Sequence, residues 1–248
     1  MTKGLVSIIT PMYNAKDTIE KTMISVINQT YENWEMIIVD DKSDDLGPEL
    51  VKKYSDQDKR IKYVKTQVNS GVSDARNKAI EMSYGQYIAF LDSDDVWEPD
   101  KLKCQIEFMK EQGIGFCFSG CDCIDYEDSF IKERKVPSKV SYKDLLKGNV
   151  IPCLTVVLDR EIISIPKMKK IHHEDYAMWL DILKTGKCAY SIQRVLAHYR
   201  IGQKSVSSNK LKAVKWTWDI YRKDQKLNVV QSGYYFVNYL IKAFIKWK

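Results

Sequence analysis

Between Gln86 and Trp97 the chain runs from five apolar residues, Tyr87 to Leu91, straight into Asp92-Ser93-Asp94-Asp95. The apolar run is too short for an independent helix and is flanked by polar residues, so it reads as a strand buried on both faces. Acids at a strand's carboxyl end stand where open α/β sheets bind ligands. Carboxylate oxygens suit hard divalent cations, which makes Asp92 and Asp94 candidate ligands for a Mg²⁺ or Mn²⁺ that holds phosphates. The same acids could instead cap the helix opening at Pro99.

Three strand-helix units precede this stretch. Leu5–Thr10, Trp34–Val39 and Ile61–Val64 read as strands, with helices expected from Ile19, around Leu46–Tyr54 and over about Val72–Met82. Asn14 is the expected N-cap of the first helix. Such alternation predicts a mostly parallel, doubly wound sheet with right-handed crossovers. Further strands are expected at Ile114–Ser119, Leu154–Leu158 and Val195–Ile201, with a ribbon or irregular excursion over 121–136. A helix carrying Tyr176, Trp179, Leu180 and Leu183 on one face starts near Glu174 and Asp175, where carboxylates also gain from the helix dipole. His172 and His173 have no assigned role. No Gly-x-Gly-x-x-Gly follows the first strand and no phosphate-binding Gly-x4-Gly-Lys-Ser/Thr loop occurs, so phosphate must be held by other means.

Charge is unevenly distributed. Residues 210–248 carry nine Lys or Arg against Asp219 and Asp224, a net +7, while the whole chain is +6. An excess at one end points to an anionic contact, either nucleic acid or a membrane surface. The nucleic-acid option lacks a recognised reader motif. The terminal run from Tyr234 is aromatic and lysine-punctuated, which fits an interfacial helix with Trp247 at headgroup depth, or a helix packed on the domain or a second subunit in a homodimer. No run of eighteen apolar residues and no cleavable signal pattern occurs, and six cysteines lack metal-knuckle spacing. The expectation from these features is a cytoplasmic chain, peripheral to the inner face of the plasma membrane if the tail binds lipid.

Five segments in fixed order resemble the family-2 inverting glycosyltransferases of GT-A fold: Val6–Asn14, Ile38–Asp44, Asn69–Asn77, Phe90–Asp100 and the pair Glu174-Asp175. With Cys153–Arg160 and Tyr199-Arg200, the likeness is to bacterial enzymes of teichuronic-acid and capsular polysaccharide synthesis. The resemblance implies an α/β, Rossmann-like GT-A domain over residues 1–205 and a C-terminal helical appendage over 206–248. Residues 1–100 would form its nucleotide-binding half and 101–205 its acceptor and base half. It implies that Pro11, Tyr13 and Asp41 surround the uracil of a UDP-sugar, that Arg76 lies near the nucleotide or its phosphates, and that Asp92 and Asp94 bind ribose and the metal. Asp175 would be the catalytic base, with Glu174 and Trp179 supporting it on the acceptor side. The expected acceptor is a saccharide on a polyprenyl diphosphate, to which one sugar is added.

Two features depart from the family pattern. Gly202 stands where many relatives carry a His, leaving Lys204 or Ser205 as substitutes, and the Gln-x-x-Arg-Trp signature of processive relatives is missing. The acidic strand end also fits the nucleophile motif of haloacid-dehalogenase-type phosphatases, although there it lies on the first strand. A non-catalytic sugar-nucleotide binder or assembly module is the third reading.

Overall fold

Consecutive apolar residues on β-strands send alternate side chains to opposite faces, so a run such as Met36-Ile-Ile-Val39 needs cover on both sides. In the computed structural model, which describes residues 1–201 and 210–247, that cover is two layers of helices. The order is β1 (Thr2–Met12), α1 (Ile19–Ile27), β2 (Trp34–Asp40), α2 (Gly47–Gln57), β3 (Ile61–Lys65), α3 (Val72–Glu81), β4 (Gly85–Phe90), β5 (Val96–Trp97) and α4 (Lys101–Gln112). There follow β6 (Phe116–Ile124), β7 (Phe130–Arg134), β8 (Lys139–Val140), α5 (Tyr142–Leu145), β9 (Val157–Asp159), α6 (Glu174–Leu183), β10 (Ala189–Arg200), α7 (Lys210–Asp219) and α8 (Val229–Trp247).

The central sheet runs β3-β2-β1-β4-β9-β6-β10-β5. The first four are mutually parallel, β9 is antiparallel to β4 and β6, and β6 and β10 are again parallel. Met36 and Ile38 face one core with Ile19, Met23 and Leu102; Ile37 and Val39 face the other with Ala75, Trp179 and Leu183. The expected mostly parallel, doubly wound sheet is therefore present. Strand order reverses between β1 and β4, which opens a crevice outside their carboxyl ends. Ile220 and Tyr221, beyond α7, lie in the same core as Trp179, so residues on both sides of position 205 share one core.

Several local expectations change. Asn14 does not cap α1, which starts at Ile19; it adopts a left-handed φ of 49° and its amide oxygen accepts the Asp44 backbone N–H at 3.0 Å. That bond ties the β1 and β2 exits together. The expected Leu154 strand is shorter, with a 3₁₀ turn over Cys153–Thr155 before β9, and the 121–136 excursion is the β6–β7 hairpin. Gly202, Lys204, Ser205 and the side chain of Trp247 lie outside the described residues.

One core residue is out of keeping with its surroundings. Lys101 is fully buried, its ammonium 3.9 Å above the Trp97 ring and donating to Gln105 Oε1 at 2.6 Å. Burial pushes its pKa down to about 7 from 10.5. The unfolded chain binds more protons between those values, so stability rises with pH through that window. Lys101→Met is expected to stabilise the fold by about 1–4 kcal/mol at pH 7 and to flatten the rise between pH 7 and 9, as read by urea denaturation.

Candidate active site

The carboxyl ends of β1, β2 and β4 deliver the residues expected on the nucleotide side to one edge. Pro11 is buried within β1, paired in register with Val39, and Tyr13 beyond it is 54% exposed at the mouth of the crevice. The paired acids after β2 divide their tasks. Asp40 turns inward, accepting from Ser43 N at 2.7 Å and the Tyr63 hydroxyl at 2.7 Å. Asp41 turns to the edge and accepts from the backbone N–H groups of Ser70 (2.9 Å) and Gly71 (2.6 Å) and from the Thr66 hydroxyl (3.2 Å). Gly71 has a φ of +94°, open at low cost only to glycine, and this turn starts α3. Asp41 thus organises the turn that starts α3, the helix that carries Arg76. It also borders a cavity of about 420 Å³ lined by Lys65, Gln67, Asp74 and Lys78.

Arg76 sits deeper than expected for a phosphate ligand. It is 4% exposed, and its guanidinium bridges two acids: Nη2 donates to Asp92 Oδ1 and Nη1 to Glu174 Oε1, both at 2.6 Å. A planar fork can span two carboxylates where a lysine ammonium offers one point charge. The bridge fastens the end of β4 to the start of α6, so the two halves of the site meet through one side chain.

Behind the acidic turn, Arg200 at the end of β10 is buried and donates to the backbone carbonyls of Asp94 (2.8 Å) and Asp125 (2.5 Å), while its own N–H reaches Asp95 Oδ1 at 2.9 Å. Arg200 is thereby a brace for the turn, a role that pattern could not give it. Asp94 is partly exposed, and burial, then the charge of Asp92, raises its carboxyl to about 6.

At the other side of the crevice Asp175 is partly exposed in the first turn of α6, with Oδ1 accepting Tyr176 N at 2.7 Å. Its second oxygen faces the Asn149 amide at 3.4 Å, a neighbour pattern reading missed. Burial, then Glu174, lifts its pKa to about 6, against the opposing charge of Arg76. Glu174 is committed to Arg76, so it supports the loop. Trp179 is fully buried, edge-on to Phe90 and Phe116 at 5.3 Å each, and has no surface for an acceptor. It backs the site from the core, because helical spacing put it on the inward face of α6. His173, at a left-handed φ of 60°, leads into Glu174, and His172 stacks on Trp216 of α7 at 3.9 Å.

Among the described residues no three His, Cys, Asp or Glu side chains converge as a self-sufficient metal cage. Mg²⁺ commonly takes only one or two carboxylates, completing its shell with water and substrate phosphates. A raised, partly exposed Asp94 beside Asp92 suits a cation that arrives with a diphosphate.

This fold and acid-lined crevice define a GT-A scaffold, and solved structures agree: Staphylococcus aureus TarS 1-349 in complex with UDP-GlcNAc superposes with a TM-score of 0.71 at 17% identity over 95% of this chain and 71% of that one. The mannosyltransferase PcManGT of Pyrobaculum calidifontis, in complex with GDP-Man and Mn²⁺, gives 0.68 at 17% over 90% of this chain and 64% of that one. Residues 7–165 match the model of glycosyl transferase family 2. Bacillus subtilis TuaG, a glycosyltransferase assigned to teichuronic acid biosynthesis, is 45% identical over 97% of this chain and 96% of its own. Escherichia coli WfgD, a UDP-Glc:α-D-GlcNAc-diphosphoundecaprenol β-1,3-glucosyltransferase, is 40% identical over 96% of this chain and 92% of its own. The chain belongs to glycosyl transferase family 2. The phosphatase reading falls away, since the acidic motif follows the fourth strand of a transferase fold.

Proposed function

We propose that this protein transfers one sugar from a UDP-sugar to a hydroxyl of a polyprenyl-diphosphate-linked saccharide, with inversion and with Asp175 as the base. The observation that carries the reading is the Asp92-Arg76-Glu174 bridge. It holds a diphosphate-side acid and the start of the base helix in one rigid unit, so donor and acceptor groups keep a fixed separation. The likeness to WfgD, a transferase from UDP-Glc to a diphosphoundecaprenol-linked acceptor, supports the substrate classes.

In this reading Tyr13, beside Pro11, offers an exposed ring to the nucleobase, and Asp41 shapes the loop beside it with acceptor capacity for a ring N–H. A divalent cation held by Asp92 and Asp94 would neutralise charge on the departing UDP. Asp175 removes the proton of the attacking hydroxyl as the new bond forms, and a carboxyl near 6 is ionised at neutral pH yet still basic enough to accept. No helix of the described residues is long and apolar enough to cross a membrane.

The test is UDP release from UDP-Glc, UDP-Gal and their N-acetyl forms with Mn²⁺ or Mg²⁺, first alone and then with lipid-diphosphate-linked saccharides. Acceptor-stimulated release from one donor is expected, and its absence for all of them with every acceptor overturns the reading. Asp94→Asn is expected to weaken metal-dependent UDP binding on the order of a hundredfold, with little change in EDTA, by calorimetric titration.

A further inference from the structure

The helix α8 has two unlike sides. Its inner side packs on the body: Ser232 is buried, Phe236 meets Trp218 edge-on at 5.0 Å, and the Tyr239 ring stands 3.7 Å from where a Cβ at Gly148 would lie. Its outer side carries Val230, Tyr234, Val237 and Ile241, which are 82%, 59%, 56% and 55% exposed. Steps of four, three and four residues align them in one stripe along the helix. A continuous exposed apolar stripe marks a surface that something covers.

Charge selects the occupant. No Asp or Glu occurs from Val229 to Lys248, which includes Lys242, Lys246 and Lys248, and residues 210–248 hold a net +7 on a chain of +6 overall. A second copy of this chain would bring like charge against like charge, whereas an anionic bilayer is complementary. The helix is amphipathic, aromatic and not apolar enough to span, the properties of one that lies in the headgroup plane.

Position gives this surface a use. Gly148, beneath Tyr239, directly precedes Asn149, whose amide faces Asp175. We infer that α8 lies in the interface of an anionic membrane, stripe inward, and so holds the Asp175 side of the crevice at headgroup level. There the hydroxyl of a saccharide on a membrane-anchored diphosphate would be presented to the base. The inference rests on the proposed lipid-linked acceptor.

The experiment uses the full chain and flotation with phosphatidylcholine vesicles, with and without phosphatidylglycerol. Wild type is expected to float only with the anionic vesicles, and less so in added salt. The triple variant Val230→Glu, Val237→Glu, Ile241→Glu alters exposed side chains and should fold normally. It is expected to lose vesicle binding by more than about tenfold. Transfer to a bilayer-embedded acceptor should fall in parallel, while transfer to a short-chain, water-soluble acceptor stays unchanged. Wild type that ignores anionic vesicles, or a variant that binds them equally well, overturns the inference. So does a variant whose one change is dissociation of a dimer. If vesicle binding behaves as expected but neither protein transfers sugar to any acceptor, the lipid surface stands and the catalytic reading fails.

Discussion

Asp175→Asn is expected to lower the transfer rate by roughly 10²- to 10⁴-fold while leaving UDP affinity unchanged, because the amide keeps the shape of the carboxyl but accepts no proton. Wild-type kcat/KM should be level above about pH 6, the value to which burial and Glu174 raise this carboxyl, and should fall as the base becomes protonated below it. The Asn variant's residual activity should lack that limb. Retained transfer in the variant would sink the assignment of the base.

The same substitution carries a stability signature of opposite sign. A carboxyl whose folded value lies near 6, against 3.8 in a free side chain, binds more protons folded than unfolded between those values. Its cost to the fold therefore grows as pH rises from about 4 to 6 and is complete above that. At pH 7.5 Asp175→Asn should gain about 1–3 kcal/mol in urea denaturation, and the gain should fade towards pH 4. A variant that loses both transfer and stability would point to a structural Asp175 instead.

Arg76→Met is expected to cost about 3–5 kcal/mol at neutral pH. It strips the shared cation from Asp92 and Glu174, whose side chains are 30% and 15% exposed. Lysine should rescue little, since one ammonium cannot hold both acids in the same plane. Adding Glu174→Gln to Arg76→Met should recover part of the loss, because one uncompensated charge is then gone. Equal losses in the single and double variants, measured by thermal and urea unfolding, would show that the bridge does not unite the two halves.

The order of the first strands and helices was legible because β1, β2 and β4 carry dense apolar runs and their connections are polar, a pattern that local chemistry writes into neighbouring residues, whereas the exposed β7, Phe130-Ile-Lys-Glu-Arg134, carries no such signal. Asp92 and Asp94 were legible as candidate metal ligands because acids follow an apolar strand, though a helix cap explained them too, and Asp175 took its role only from the resemblance to the family. Their partners were not legible. Arg76 is 98 positions from Glu174, and Asn149 is 26 from Asp175. Nothing local to Arg76 distinguishes a cation facing phosphate from one bridging two carboxylates.

Trp179 and Asn14 show the same division. Helical spacing placed Trp179 on an apolar face, but only the convergence of Phe90 and Phe116 on it shows that the face is core and out of reach of an acceptor. Asn14 had the chemistry of a cap, yet its left-handed backbone and its bond to Asp44 turn it into a tie between two strand exits. Local sequence carried the element types, the parallel sheet and the acids at its edge, because those depend on periodicity and on what water will not tolerate in a core. Which cation met which acid, and which face of α8 stayed bare, depended on how distant segments packed. Burial and charge pairing are properties of the assembled neighbourhood, to which residues from anywhere in the chain contribute.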